Sequence, residues 1–129
     1  MKKNIKNAKV SIIIRVKNEE KWITSCLRAV FSQTYKNFEV ILVDNNSSDN
    51  TIKKAKEFKV KILNINKFFP GKAINLGIKN SSGDIIVCLS GHCIPKNNSW
   101  LKTLIKNLNK SNVAGVYGRQ EPLSFSSPN

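Results

Sequence analysis

The chain has 129 residues, 40% of them hydrophobic, and carries 22 Lys and Arg against 8 Asp and Glu for a formal net charge of +14. That length suits one domain with a real core and is short for an enzyme that must seat two substrates; the basic excess favours phosphates, nucleic acid or anionic lipid as partners without choosing among them. Cys26, Cys88 and Cys93 form no C-x-x-C pair and, with one histidine, cannot complete a four-ligand zinc site, while no apolar run approaches a membrane span or a signal peptide, so the expected setting is a reducing, cytoplasmic one.

Val10-Ser11-Ile12-Ile13-Ile14 is a β-branched apolar run of the kind that forms a strand buried on both faces of a parallel sheet. After the polar turn at Arg15-Val16-Lys17-Asn18, the spacing of Ile23, Cys26, Leu27, Val30 and Phe31 predicts an amphipathic helix. Phe38 to Val43 reads as a second buried strand, and Asp44-Asn45-Asn46-Ser47-Ser48-Asp49 supplies turn formers before a helix over residues 51–58. Asp49 is expected to cap that helix. A weaker third strand is predicted over residues 60–63, and a loop through Phe69-Pro70-Gly71 leads into a helix near Lys72 to Lys79. Residues 85–89 read as the fourth strand, residues 90–98 as a loop, and Trp100, Leu101, Leu104, Ile105 and Leu108 keep helical spacing. Residues 113–117 complete the pattern as a fifth strand. Strands alternating with helices of this length imply an open, mainly parallel α/β sheet with right-handed crossovers and helices on both faces. Trp22 and Trp100 are expected to pack at helix starts.

In such a sheet, ligands bind beyond the carboxyl ends of the strands. Strand one delivers Arg15, Lys17, Asn18 and Glu19 to that edge, strand two Asp44 and Asn45, and strand four Ser90, Gly91 and His92. No G-x-G-x-x-G follows strand one, no P-loop is present, and no G-x-S-x-G appears. What remains is a nucleotide site made from side chains, with or without a metal.

Four segments, in order, carry a specific resemblance. Residues 10–20 resemble the opening strand of family 2 glycosyltransferases, and residues 38–51 their second strand with its Asp-bearing turn. Gly71-Lys72-Ala73-Ile74-Asn75-Leu76-Gly77 resembles the family's G-x-A-x-N-x-G helix, and Gly83-Asp84-Ile85-Ile86-Val87-Cys88-Leu89 leads into its metal-motif loop. The resemblance implies a Rossmann-like GT-A nucleotide-diphospho-sugar transferase fold. It divides the chain into a basic tail (residues 1–8), a nucleotide-sugar-binding domain (9–118) and the start of an acceptor-side region (119–129) interrupted partway.

The resemblance further implies that Asp44 accepts a hydrogen bond from the nucleotide base; the plainer alternative is an Asx-turn to the backbone of Asn46. Arg15 and Lys72 are candidates to offset the diphosphate's charge or are ordinary surface cations, and a Pro usually stands at position 15 in close relatives. Asn75 contacts phosphate or caps its own helix. The family's acidic D-x-D motif, which holds Mg²⁺ or Mn²⁺ on the sugar diphosphate, falls at Ser90-Gly91-His92, where both carboxylates are missing. Leu89-Ser90-Gly91-His92-Cys93 also resembles the D-x-H-C loop of polypeptide N-acetylgalactosaminyltransferases and the Ser-first loops of rhamnosyltransferase-like relatives, so His92 is the candidate metal ligand, with a phosphate donor or a solvated loop histidine as alternatives. The implied function is inverting transfer of a hexose or deoxyhexose from a UDP-, dTDP- or GDP-linked donor to a glycan or lipid-linked acceptor. The general base is expected beyond Asn129, so that this chain binds donor without turning it over. Peripheral contact with an anionic membrane fits the basic surface. A silent GT-A-like scaffold is the alternative, with a basic nucleic-acid-binding module behind it, since no helix carries a dense basic face.

Overall fold

A computed structural model describes residues 7–66 and 70–108. Four strands, β1 (Val10–Val16), β2 (Phe38–Asp44), β3 (Lys61–Asn64) and β4 (Ile85–Ser90), form one sheet in the order β3-β2-β1-β4, with every neighbouring pair parallel. β1 runs through the centre, and the isoleucines at 12, 13 and 14 are fully or almost fully buried because helices cover both faces. Burying each such side chain contributes about 2 kcal/mol, which makes this run the anchor of the core.

The covering helices are α1 (Ile23–Phe31), α2 (Thr51–Ala55), α3 (Pro70–Lys79) and α4 (Trp100–Leu108). Val10, Ile12, Ile14, Val16, Val40 and Leu42 meet the apolar stripes of α1, α2 and α4 on one face. Ile13, Ile41 and Val43 meet α3 on the other, through Ala73 and Leu76. Gly77 lies so close to β1 that a Cβ there would sit 2.5 Å from Ile13 Cγ2. Ala73 and Gly77, one helical turn apart, are therefore the small residues that let α3 press on the sheet.

Each element predicted within the described residues is present, with shifted ends. α2 stops at Ala55 rather than running to residue 58, and the chain turns so that Phe58 stacks on Phe31 at 5.8 Å between ring centroids, with Phe38 on the same aromatic at 5.7 Å. Tertiary packing of one aromatic outweighs three more residues of helix. β3 lies one residue later than its alternation predicts, which brings Asn64 level with Asp44. Trp100 packs against the core at the start of α4. The predicted strand over 113–117 and the region 119–129 lie outside the described residues.

Candidate functional site

From β1 the chain steps to β2 and then β3 on one side, whereas β4 lies on the other side of β1. The reversal of direction therefore falls between β1 and β4, where an open parallel sheet leaves a crevice beyond its carboxyl edge. A crevice of about 270 Å³ occupies that place, lined by Arg15, Val16, Lys17, Glu19, Ser90 and His92. Arg15 and Ser90 are direct partners across the β1–β4 pairing, and Val16 pairs with Asp44 across β1–β2. Asp44 and Ser90 thus end two adjacent pairings on the same edge, about 10 Å apart by two strand spacings. That is the reach of a nucleoside diphosphate from its base to its phosphates.

His92 sits in the crevice with its side chain 58% exposed, and its Nδ1 lies 3.1 Å from Glu19 Oε1 and 3.0 Å from Ser90 Oγ. A carboxylate only accepts, so the proton belongs on Nδ1, and Nε2 is the nitrogen left for a ligand. Gly91 makes this loop possible. Its N–H donates to the Arg15 carbonyl at 3.0 Å, and a Cβ would meet Val16 Cγ1 at 2.5 Å, so only glycine lets the β4 loop lie on the end of β1.

Asp44 is 4% exposed, and among the described residues its carboxylate is bound by Ser47 alone. The Ser47 hydroxyl donates to Oδ1 at 2.6 Å, and the Ser47 N–H lies 3.2 Å from Oδ1 and 3.3 Å from Oδ2. The turn contact is thus to Ser47 rather than to Asn46, and Asn46 instead takes a positive φ of 54°. Asn45 is buried too, its N–H donating to the Val16 carbonyl at 2.9 Å, so β2 is held to β1 to its last residue.

The turns after β1 and β2 are stapled together. Asn18, at φ 51°, donates its N–H to Ser47 Oγ at 2.9 Å and accepts the Ser48 N–H on Oδ1 at 2.8 Å. Glu19 N–H donates to Thr51 Oγ1 at 2.7 Å, Glu20 N–H to Asp49 Oδ2 at 3.2 Å, and Glu20 Oε2 accepts the Asn50 N–H at 3.2 Å. Asp49 also accepts the Thr51 N–H at 3.0 Å, which serves the start of α2 from one residue before the N-cap, Asn50. Burial pushes the Asp49 carboxyl up, but the hydrogen bonds from Thr51 and Glu20 outweigh it and hold the group below its ordinary value. The staple has a direct consequence for the site: Asn18 N–H feeds Ser47 Oγ, which feeds Asp44, so the carboxylate's orientation is set from both strands.

Sequence reasoning named Asn18, Glu19, Asp44, Ser90 and His92 without seeing these bonds, and it missed Ser47, Thr51 and Gln33. Fully buried Gln33 donates to the Asn97 carbonyl at 2.7 Å and accepts the Leu101 N–H at 3.0 Å, fixing the loop after His92 and the first turn of α4. A glutamine two residues past a helix end has no signal that distinguishes this role. Lys72 and Asn75 lie on α3, both exposed, and neither lines the crevice. Buried Cys26 has its thiol pushed up to about 12, by burial first and then by the nearby Cys93 and Glu19, and is inert at neutral pH.

The family resemblance implies a divalent cation here, and the donor set does not fit one held by the protein. Glu19 is the sole carboxylate lining the crevice, and it is bonded to the histidine that would share the ion. Among the described residues no group of three or more His, Cys, Asp or Glu gathers around a common point. Hard cations take about six oxygen ligands, and Ser90-Gly91-His92 offers no carboxylate.

Comparison with known proteins identifies the fold and the family. The mannosyltransferase PcManGT from Pyrobaculum calidifontis, solved in complex with GDP-Man and Mn²⁺, superposes with a TM-score of 0.76 at 21% identity over 82% of this chain and 34% of that one, which shows a shared GT-A fold. S. aureus TarS in complex with UDP-GlcNAc superposes with a TM-score of 0.72 at 26% identity, over 90% of this chain and 37% of that one. In sequence, the dolichyl N-acetyl-α-D-glucosaminyl phosphate 3-β-D-2,3-diacetamido-2,3-dideoxy-β-D-glucuronosyltransferase of Methanococcus voltae is 37% identical over 123 residues, covering 84% of this chain and 38% of that protein. The chain spans less than half of the length of the curated relatives it matches, 41% and 38% in two of them. Residues 11–122 match the family described as Glycosyl transferase family 2. On that match, which covers most of the chain, the chain belongs to glycosyl transferase family 2.

Proposed function

We propose that residues 9–118 form the donor-binding domain of a glycosyltransferase that moves a hexose or deoxyhexose from a UDP-, dTDP- or GDP-linked sugar to a glycan or lipid-linked acceptor, with inversion. The observation that carries this reading is Asp44: a buried carboxylate, oriented by Ser47 and with acceptor capacity left over, beside a crevice bearing Arg15 and Lys17. The base edge meets Asp44, as acceptor-only chemistry requires, and the diphosphate lies toward Arg15, Lys17, Ser90 and His92. Asn18 and Glu19 act in the same reading by holding Ser47 and His92. Asn45 and Gly91 shape the floor, and Lys72 and Asn75 on α3 reach the donor only from outside the crevice. Cations near the leaving oxygen stabilise the charge that develops there. If a divalent ion accompanies the donor, as Mn²⁺ does with GDP-Man in PcManGT, its oxygens come from the diphosphate and His92 Nε2 is the protein atom left to meet it.

A lipid-linked acceptor is supported by the dolichyl phosphate in the name of the Methanococcus voltae relative, and the charge of +14 suits peripheral contact with an anionic membrane. No helix among the described residues is long and apolar enough to cross one. The general base is assigned to the acceptor side, beyond Asn129, and donor binding without turnover is the result expected of residues 1–129. Calorimetric titration tests this: UDP or dTDP binds between millimolar and micromolar, about −4 to −8 kcal/mol, and no sugar is transferred. Absence of heat with UDP, dTDP and GDP, with and without Mn²⁺, refutes it.

A further inference from the structure

Resting on the donor-site reading above, we propose that Arg15 and Lys17, rather than a divalent cation held by the protein, take up the charge of the donor's diphosphate. Three observations converge. Arg15 is the direct cross-strand partner of Ser90, the first position of the triplet where the family resemblance places an acidic pair, so a cation stands opposite the place where a carboxylate is missing. Lys17 lines the same crevice, and among the described residues neither cation is ion-paired. Glu19, the remaining carboxylate at the crevice, is engaged by His92 Nδ1 at 3.1 Å and is turned from the diphosphate's path into a support for the imidazole.

The electrostatics form a consistent set. An acidic pair at 90 and 92 repels a bare diphosphate and needs a metal between the two; Ser90 and His92 remove that repulsion together with the metal's ligands. A guanidinium offers parallel N–H donors that match two phosphate oxygens, and an ammonium adds a second point of charge, so two formal positive charges meet the two negative charges of the diphosphate. The cation on β1 and the carboxylate-free end of β4 thus face each other across a single strand pairing.

Titration of the 129-residue chain with UDP, in excess EDTA and again in Mn²⁺, tests the proposal. The affinity in EDTA is expected to stay within about threefold of that in Mn²⁺, and Arg15→Gln and Lys17→Gln each weaken it about tenfold in EDTA, with thermal melts showing both variants folded. The double variant Ser90→Asp/His92→Asp loses binding in EDTA and regains it with Mn²⁺. Binding that requires Mn²⁺ in the parent chain, or that is indifferent to both Gln substitutions, overturns the proposal while leaving the donor site in place. Absence of binding in either buffer removes the donor-site reading and this proposal with it.

Discussion

The two edges of the sheet carry similar polar clusters gathered from different numbers of residues. At the amino edge, Glu39 Oε2 accepts the Ser11 hydroxyl at 2.5 Å, the Ser82 N–H at 2.7 Å and the Ser82 hydroxyl at 3.1 Å, while Oε1 faces Lys9 Nζ at 3.9 Å. At the carboxyl edge, Asp44 receives donors from one residue, and its Oδ2 has only a 3.3 Å contact with an N–H already shared with Oδ1. A carboxylate has about four lone-pair sites; Glu39 draws its donors from Ser11 and Ser82 with Lys9 beside it, and Asp44 draws its donors from Ser47 alone. Both are tied to β1, through Ser11 at one end and Asn18 at the other. A carboxylate that ties several elements together holds a fold, and one aimed by its own turn keeps a face for a ligand.

The largest expected effect separates the edges by stability. A Cβ at Gly83 would lie 2.5 Å from Ser11 Oγ and 2.6 Å from the Ser11 backbone nitrogen, so Gly83→Ala should cost about 3 kcal/mol in denaturant unfolding and leave the nucleotide affinity of the folded fraction unchanged. Next comes Asp44→Asn, which keeps the size of the side chain and replaces half of its acceptors by donors. Titration should show a loss of about 2 kcal/mol in UDP binding, roughly thirtyfold, with little change in the melt. Ser47→Ala should fall between the two kinds of behaviour, losing about 1 kcal/mol of stability and weakening UDP several-fold, because Asp44 loses the hydroxyl that aims it. Equal loss of affinity at Gly83 and Asp44 would erase the distinction.

The smallest effect is in the pH dependence. Burial pushes the Glu39 carboxyl up, but hydrogen bonds from Ser11 and Ser82, with the charge of Lys9, bring it below its ordinary value. A carboxyl depressed in the folded state adds stability that is full above its unfolded pKa and is lost as pH falls through the folded one. Glu39→Gln should therefore flatten the acid limb of the stability curve below the ordinary carboxylate range and leave the neutral region nearly parallel to the parent's. An acid limb unchanged by the substitution would show that the amino-edge cluster is not coupled to folding.

Much of the fold is legible in the sequence because burial writes its own periodicity. Residues 10–14 read as a doubly covered strand from their β-branched apolar run, and the stripes of α1 and α4 follow from apolar spacing. The ends of α2 and β3 were not legible, since they depend on where Phe58 and Asn64 find partners in space. The site was legible as a set of residues at strand ends, and the described residues do bring Arg15, Lys17, Glu19, Ser90 and His92 to one crevice. Their couplings were hidden: no spacing announces that Glu19 meets a histidine 73 residues away, or that Asn18 steers Asp44 through Ser47. Nothing in the motif spacing shows that Gly77 and Gly91 act by letting backbone approach β1.

In the proposed function a nucleotide enters at the carboxyl edge between β1 and its two neighbours. An amide-resolved NMR titration with UDP reads this directly: the resonances of Asn18, Glu19, Ser47, Gly91 and His92 should shift, with those of Ser11, Ser82 and Gly83 unmoved. Shifts centred on the amino edge, or spread evenly over the lysine-rich surface, would contradict it.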